Sequence, residues 1–271
     1  MTELKRLKNL FKIIKGQIME EKKISTVKAE FADCPPEKLS DLIAAYTNNK
    51  RDGVQKIIAS AENRIAKLQA ERARIEEMRF FERKYEEFKF ICGVDEAGRG
   101  PLAGPVCAGA VILRKDTEIL YLNDSKKLTP KKRDELFDEI KEKALAWSVG
   151  MSDPKRIDEI NILQATYEAM RKAIAGLTVK PDILLNDFVI IPDIDIKQVG
   201  ITGGDAKSVS IAAASILAKV TRDRIMDEYD AQYPEYGFAK HKGYGTAQHI
   251  EAIKKYGLTP IHRLSFVGNL V

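Results

Sequence analysis

Residues 91–113 constrain this chain most. Two apolar runs, ICGV and PVCAGAVIL, enclose a turn that opens on adjacent acids, Asp95 and Glu96, and continues through Gly98, Arg99, Gly100 and Pro101. The second run reads as a strand, so the segment is strand, turn, strand. Paired acids at a strand end form a ready ligand set for hard divalent cations, which take oxygen donors. Backbone N–H groups exposed beside them can reach a phosphate or a sugar hydroxyl. Metal beside phosphate points to phosphodiester chemistry; an ordinary hairpin with solvated acids stays open on these residues alone. Gly98-x-Gly100-x-x-Ala103 formally fits the dinucleotide fingerprint, but that motif needs a following helix. The two acids would also repel a pyrophosphate.

From residue 88 strand and helix signals alternate. Strands are expected at 89–95, 105–113, 146–151, 182–187 and 196–201. Thr129-Pro130 opens a helix with a cap followed by proline, running to Ala144. Asp153-Pro154 opens another that stops at Gly176. Residues 207–232 read as a long helix, apolar and small in its first half, and Thr246 to Tyr256 as a last one. This order predicts an α/β domain with a mixed sheet over 89–271. Residues 1–88 read as entirely helical. Leu4, Leu7, Leu10, Phe11, Ile14 and Ile18 make one amphipathic face; Pro35-Pro36 opens a short helix to Tyr46, and a long one starts near Val54. Its stripe fails at Arg72, which predicts a helical hairpin or small bundle rather than a coiled coil.

The net charge is +5, of which residues 1–88 carry +4. A basic appendage suits attraction to nucleic acid, and a solvated surface gives the same balance. No apolar run is long enough to span a bilayer, and charges interrupt the N-terminus too often for a secretory signal. Three cysteines, Cys34, Cys92 and Cys107, lack metal-ligand spacing and read as reduced core residues of a cytoplasmic protein. Three histidines scattered along the sequence make a zinc site improbable.

Acids recur at expected strand ends. Asp187 closes PDILLND, and Asp205 sits in GITGGDAKS before the long helix. Alone, Asp187 could be a turn acid and Asp205 a helix cap. Four such carboxylates at one sheet edge could hold two metals about 3.5–4 Å apart. The Asp205 segment fails as a P-loop, because Ala206 precedes Lys207-Ser208.

Five segments, DEAGRGPLAGPV (95–106), LNDSKKL (122–128), GDAKSVSIAAASILAKVTRD (204–223), YGFAKHKGYGT (236–246) and HRLSF (262–266), together resemble bacterial ribonuclease HII over roughly 89–268. The resemblance implies a ribonuclease H-like fold: a five-stranded mixed sheet flanked by helices, here behind an all-helical N-terminal extension. It implies an endonuclease acting on the RNA strand of RNA–DNA hybrids and 5′ to single ribonucleotides in duplex DNA, with Mn²⁺ or Mg²⁺ as cofactor.

Asp95, Glu96, Asp187 and Asp205 match the family's catalytic, metal-binding carboxylates. Gly98, Arg99 and Gly100 match the turn that reads the 2′-OH, the group that separates RNA from DNA. Ser125, Lys126 and Lys127 resemble a phosphate-contacting loop, and Tyr244 the tyrosine packed on the sugar at the RNA–DNA junction. Asp124 belongs by this pattern to the loop rather than to the metal ligands. Asp223 reads as a structural residue pairing with Arg222 or Arg224. The chain departs from the family pattern at Asn186, Phe188 and Gly203. Ribonuclease HIII typically carries lysine where Arg99 stands and lacks the PLAGP continuation. Residues 1–88 are a candidate for protein or DNA contact.

Overall fold

The computed structural model describes residues 22–268; the expected helical face at 4–18 lies outside the described residues. In chain order the elements are α1 (Ile24–Asp33), α2 (Leu39–Tyr46), α3 (Asp52–Met78), α4 (Phe80–Lys84), β1 (Ile91–Ala97), β2 (Val106–Ile112), α5 (Pro130–Lys143), β3 (Ala146–Ser152), α6 (Pro154–Ala175), β4 (Ile183–Asp187), β5 (Lys197–Ile201), α7 (Val209–Gln232), α8 (Phe238–His241), α9 (Ala247–Tyr256) and α10 (Leu264–Val267). Packing divides the chain into two units between Arg74 and Ile75. No helix among the described residues is long and apolar enough to cross a membrane.

In the first unit, Val27, Phe31, Leu39, Tyr46, Val54, Ile58 and Ala61 form one small core. The stripe on α3 supplies its last three members, as the three- and four-residue spacing requires. Tyr46 is buried but keeps its hydroxyl satisfied by donating to Glu30 at 2.5 Å.

The second unit is built on a five-stranded sheet in the order β3-β2-β1-β4-β5. Strands β1, β2 and β3 pair antiparallel, whereas β1, β4 and β5 pair parallel. Strand β2 is buried at every position, as expected for a strand covered on both faces. Its residues alternate: Ala108, Ala110 and Ile112 pack with Ala165, Ala169 and Met170 of α6. Val111 faces the other way, into Ala213, Ala214 and Leu217 of α7 and Leu136 and Ile140 of α5.

Helix α7 lies directly on the sheet because two glycines let it. A Cβ on Gly93 would stand 2.1 Å from the Ser210 carbonyl carbon, and one on Gly109 would stand 2.3 Å from the Ala214 oxygen. No side chain fits there, which accounts for the small residues in the first half of α7.

Strand β1 starts and ends two residues later than expected. Its ladder with β2 runs on to Ala97 opposite Cys107, while its ladder with β4 stops at Val94 opposite Asn186. Asp95 and Glu96 therefore sit inside a strand on one side and past the end of the ladder on the other. Thr129 caps its helix as expected, and Asp153 and Thr246 do the same, each accepting a backbone N–H from the helix it precedes. Helix α6 contains a break the sequence reading lacked. Asn161 has φ 67°, and its side chain restarts the helix by accepting from Leu163 and Gln164.

Candidate active site

Because β1, β4 and β5 run parallel, their C-terminal ends share one edge of the sheet. Asp95 and Glu96 of β1, Asp187 at the end of β4 and Asp205 just past β5 all arrive there. Burial pushes the Asp95 carboxyl well above the usual range, with the charges of Glu96 and Asp187 adding to it. Glu96 is also raised by burial, and Arg99, 3.3 Å away, opposes the shift. Asp205 is raised by burial, by Asp124 and by Asp187. Asp187 accepts the Gly204 N–H at 2.7 Å, which ties the 204–206 turn to the end of β4.

Asp95, Glu96 and Asp205 each feel the charge of Asp187, so the acids gather around the end of β4. Among the described residues, however, no three His, Cys, Asp or Glu side chains form a ready metal cage. The donor chemistry still suits Mg²⁺ or Mn²⁺. Mg²⁺ is commonly held by one or two carboxylates plus substrate phosphates rather than by an all-protein cage. Acids driven together against their own repulsion gain most from a cation.

Beside the acids runs a groove of about 790 Å³ lined by Glu96, Gly98, Arg99, Gly100, Ser125, Lys126, Lys219 and Tyr244, among others. The expected substrate residues thus share one wall-to-wall space. Tyr244 is 44% exposed, and its ring edge would lie 3.7 Å from a Cβ on Gly100. Asp124 caps the Ser125–Lys127 turn by accepting the Lys126 N–H. Arg133 fixes the same loop through the carbonyls of Ser125 and Leu128.

Several contributors were not visible in the sequence. Ser215 on α7 lies close enough to Asp95 to draw its raised pKa back down and donates to the Ser125 hydroxyl at 3.1 Å, joining the acidic edge to the loop. Asp124, read as a loop residue only, faces Asp205 closely enough to raise its pKa. Two fully buried arginines shape the glycine-rich turn. Arg263 donates to the carbonyls of Gly98, Arg99 and Gly104, and Arg222 donates to those of Ala103, Pro105 and Lys242. Gly98 has φ 95°, and a Cβ there would strike the Arg222 Nε at 2.1 Å. Only glycine permits this turn to fold around the guanidinium.

Asp223 therefore pairs with neither predicted arginine. It accepts from Lys219 at 2.7 Å and lies 3.8 Å from Arg133. Arg222 is spent on carbonyls, and Arg224 reaches Asp134.

The departures at Asn186, Phe188 and Gly203 cluster around the end of β4. The buried Asn186 amide donates to the Val189 carbonyl and to Gln198, whose own amide pairs both backbone groups of Ile191. The buried Asn186 thus has its amide nitrogen satisfied locally, while its side-chain oxygen is buried without a hydrogen-bond partner. Phe188 and Gly203 both take positive φ, 64° and 65°.

Arg263→Lys is expected to lower stability by about 2–4 kcal/mol. A point-charge ammonium cannot replace a planar fork reaching three carbonyls, and the carbonyls it leaves are buried. A thermal melt reads the first effect, and kcat/KM on a nucleic-acid substrate reads the disordered turn.

A five-stranded mixed sheet flanked by helices, with acids gathered at one edge beside a basic groove, defines a ribonuclease H-like nuclease. The comparisons are specific. Ribonuclease HII matches residues 92–268, and the Ribonuclease HII N-terminal domain matches residues 23–86. The Ribonuclease HII of Lachnoclostridium phytofermentans is 60% identical over 83% of this chain and 89% of its own length. That of Clostridioides difficile is 51% identical over 93% of this chain and 100% of its own. Among solved structures, the ribonuclease H2 from Pyrococcus horikoshii OT3 superposes with a TM-score of 0.56 at 30% identity, covering 67% of this chain and 96% of that one. The chain belongs to the ribonuclease HII family, and so is an endoribonuclease.

Proposed function

We propose that the enzyme hydrolyses the RNA strand of RNA–DNA hybrids and cuts on the 5′ side of single ribonucleotides embedded in duplex DNA. This activity would remove misincorporated ribonucleotides and leave 3′-OH and 5′-phosphate ends. Asp95, Glu96, Asp187 and Asp205 would hold two Mg²⁺ or Mn²⁺ ions, which would supply activation of the attacking water and stabilisation of the departing oxygen. Backbone groups of Gly98, Arg99 and Gly100 contact the 2′-OH. Ser125 and Lys126 contact phosphate, and the Tyr244 ring packs on the sugar at the junction. Residues 1–88 are proposed to contact protein or DNA. An RNase HII from Archaeoglobus fulgidus has been solved in complex with PCNA, a protein contact in a relative of 26% identity.

The observation that carries this reading is the convergence of acids from β1, β4 and the 204–206 turn on one edge beside the groove. The test is cleavage of an end-labelled DNA duplex containing one ribonucleotide, with Mg²⁺, Mn²⁺ or EDTA. One metal-dependent cut 5′ to the ribonucleotide is expected. Cleavage of long hybrids alone would remove the junction roles of Gly98–Gly100 and Tyr244. Binding with no cutting of either substrate would remove the catalytic reading.

A further inference from the structure

The chain has three histidines, all between residues 241 and 262, and they pack together although each sits on a different element. His241, His249 and His262 are all buried. The rings of His241 and His249 stack at 4.5 Å, and the Nε2 atoms of His249 and His262 lie 3.1 Å apart. Among the described residues no such cluster could hold a metal.

The surrounding backbone dictates where each proton sits. His262 Nδ1 accepts the Thr259 N–H at 2.9 Å, so its proton is on Nε2. His249 Nδ1 lies 2.9 Å from the Tyr244 carbonyl, which can only accept, so that nitrogen carries the proton and Nε2 is free to accept. A directed chain results: Thr259 N–H to His262, His262 to His249, and His249 to the Tyr244 carbonyl. Burial lowers the pKa of both rings, that of His262 to about 4, which keeps them neutral.

Each end of the chain is anchored on one wall of the groove. Tyr244 is one wall. At the other end, His262 bridges Ala103, and its neighbour Arg263 holds the carbonyls of Gly98 and Arg99. We propose that His249 and His262 are positioning residues which, through their mutual hydrogen bond, set the distance between Tyr244 and the Gly98–Gly100 turn, and so the enzyme's preference for a ribonucleotide–deoxyribonucleotide junction. This inference rests on the roles proposed above for Tyr244 and the turn.

The test uses the full chain with Mg²⁺ and compares kcat/KM on a single-ribonucleotide duplex with kcat/KM on a long hybrid. In His249→Asn the amide nitrogen stands where Nδ1 was and still donates to Tyr244. In His249→Gln the amide stands near Nε2 and reaches only His262. Tyr244→Ala is expected to lower the ratio about tenfold, the size of one lost aromatic contact to a nucleotide. His249→Gln, which loses the Tyr244 link, and His249→Asn, which loses the His262 link, should each lower it comparably, with no further fall when either is combined with Tyr244→Ala.

An unchanged ratio in either His249 variant, an equal loss on both substrates, or effects that add to Tyr244→Ala would overturn the proposal. Should a variant at this buried site fail to fold, ¹⁵N NMR of the wild-type imidazoles decides. Protons on His249 Nδ1 and His262 Nε2 support the chain, and the opposite tautomer at either ring overturns it. Wild-type enzyme that ignores the single-ribonucleotide duplex would instead overturn the functional reading itself, whatever the tautomers.

Discussion

Asp95→Asn is expected to reduce kcat/KM by on the order of 10³-fold, a loss at least as large as that of one charge-stabilising group in a transition state. The fold should survive. The substitution keeps shape, and the remaining side-chain oxygen can still accept the Glu96 N–H that the carboxylate accepts at 2.7 Å. The amide can also meet the Ser215 hydroxyl, which accepts as well as donates. In EDTA the variant should melt above wild type. Asp95 is buried beside Glu96 and Asp187, which raises its pKa on folding. A carboxyl whose pKa rises on folding binds its proton more tightly in the folded state. Wild-type stability is therefore lost as pH climbs from the unfolded value, about 3.9, through the folded one. The gap in melting temperature should be widest at pH 8 and shrink towards pH 4. Added Mg²⁺ should raise the wild-type melt more than that of the variant. A metal-free variant melting below wild type at pH 8 would show that Asp95 is a structural acid rather than a strained ligand.

The sheet was legible because its signals are local. Five apolar runs bounded by turns, and caps at Thr129, Asp153 and Thr246, are written in consecutive residues. The acids were legible because parallel strands must bring their C-terminal ends to one edge. Side chains whose partners come from distant segments were not. Nothing near Arg263 in sequence announces carbonyls more than 150 residues away. Ser215 lies among small residues that read only as helix–sheet packing, and it reaches Asp95 because Gly93 and Gly109 bring α7 onto the sheet. The histidines were dismissed as scattered because spacing carries no sign of a stack assembled by α8, α9 and the 259–262 loop. Asp223 was assigned the neighbouring arginines, yet helix geometry favours the residue four positions earlier, Lys219.

A chain beginning at residue 75 is expected to fold, and one beginning at residue 89 is expected to fail. Sequence reading places the change of character near residue 88, where helix gives way to strand; packing places it between Arg74 and Ile75. Residues 75–88 belong energetically to the catalytic unit. Ile75 and Met78 are buried in the cluster formed with Leu136, Ile140, Val209 and Leu217. Phe81 and Tyr85 pack on Leu185, Ile201 and Ile211. Glu82 accepts from the Ser208 hydroxyl at 2.6 Å and from the Ser210 N–H at 3.0 Å, placing a carboxylate on the N-terminus of α7. Truncating two buried apolar side chains costs roughly 2–5 kcal/mol each, and losing a helix cap costs about 1 kcal/mol more. That total of roughly 5–11 kcal/mol rivals the whole stability of an ordinary domain, about 5–15 kcal/mol. Helix α7 carries Ser215, Lys219 and Arg222, so its loosened N-terminus would also disturb the groove. Circular dichroism melts of the two truncations separate the readings. Two equally stable fragments would mean that residues 75–88 are a passive linker, whereas a cooperative melt for the longer fragment alone places the working boundary inside α3.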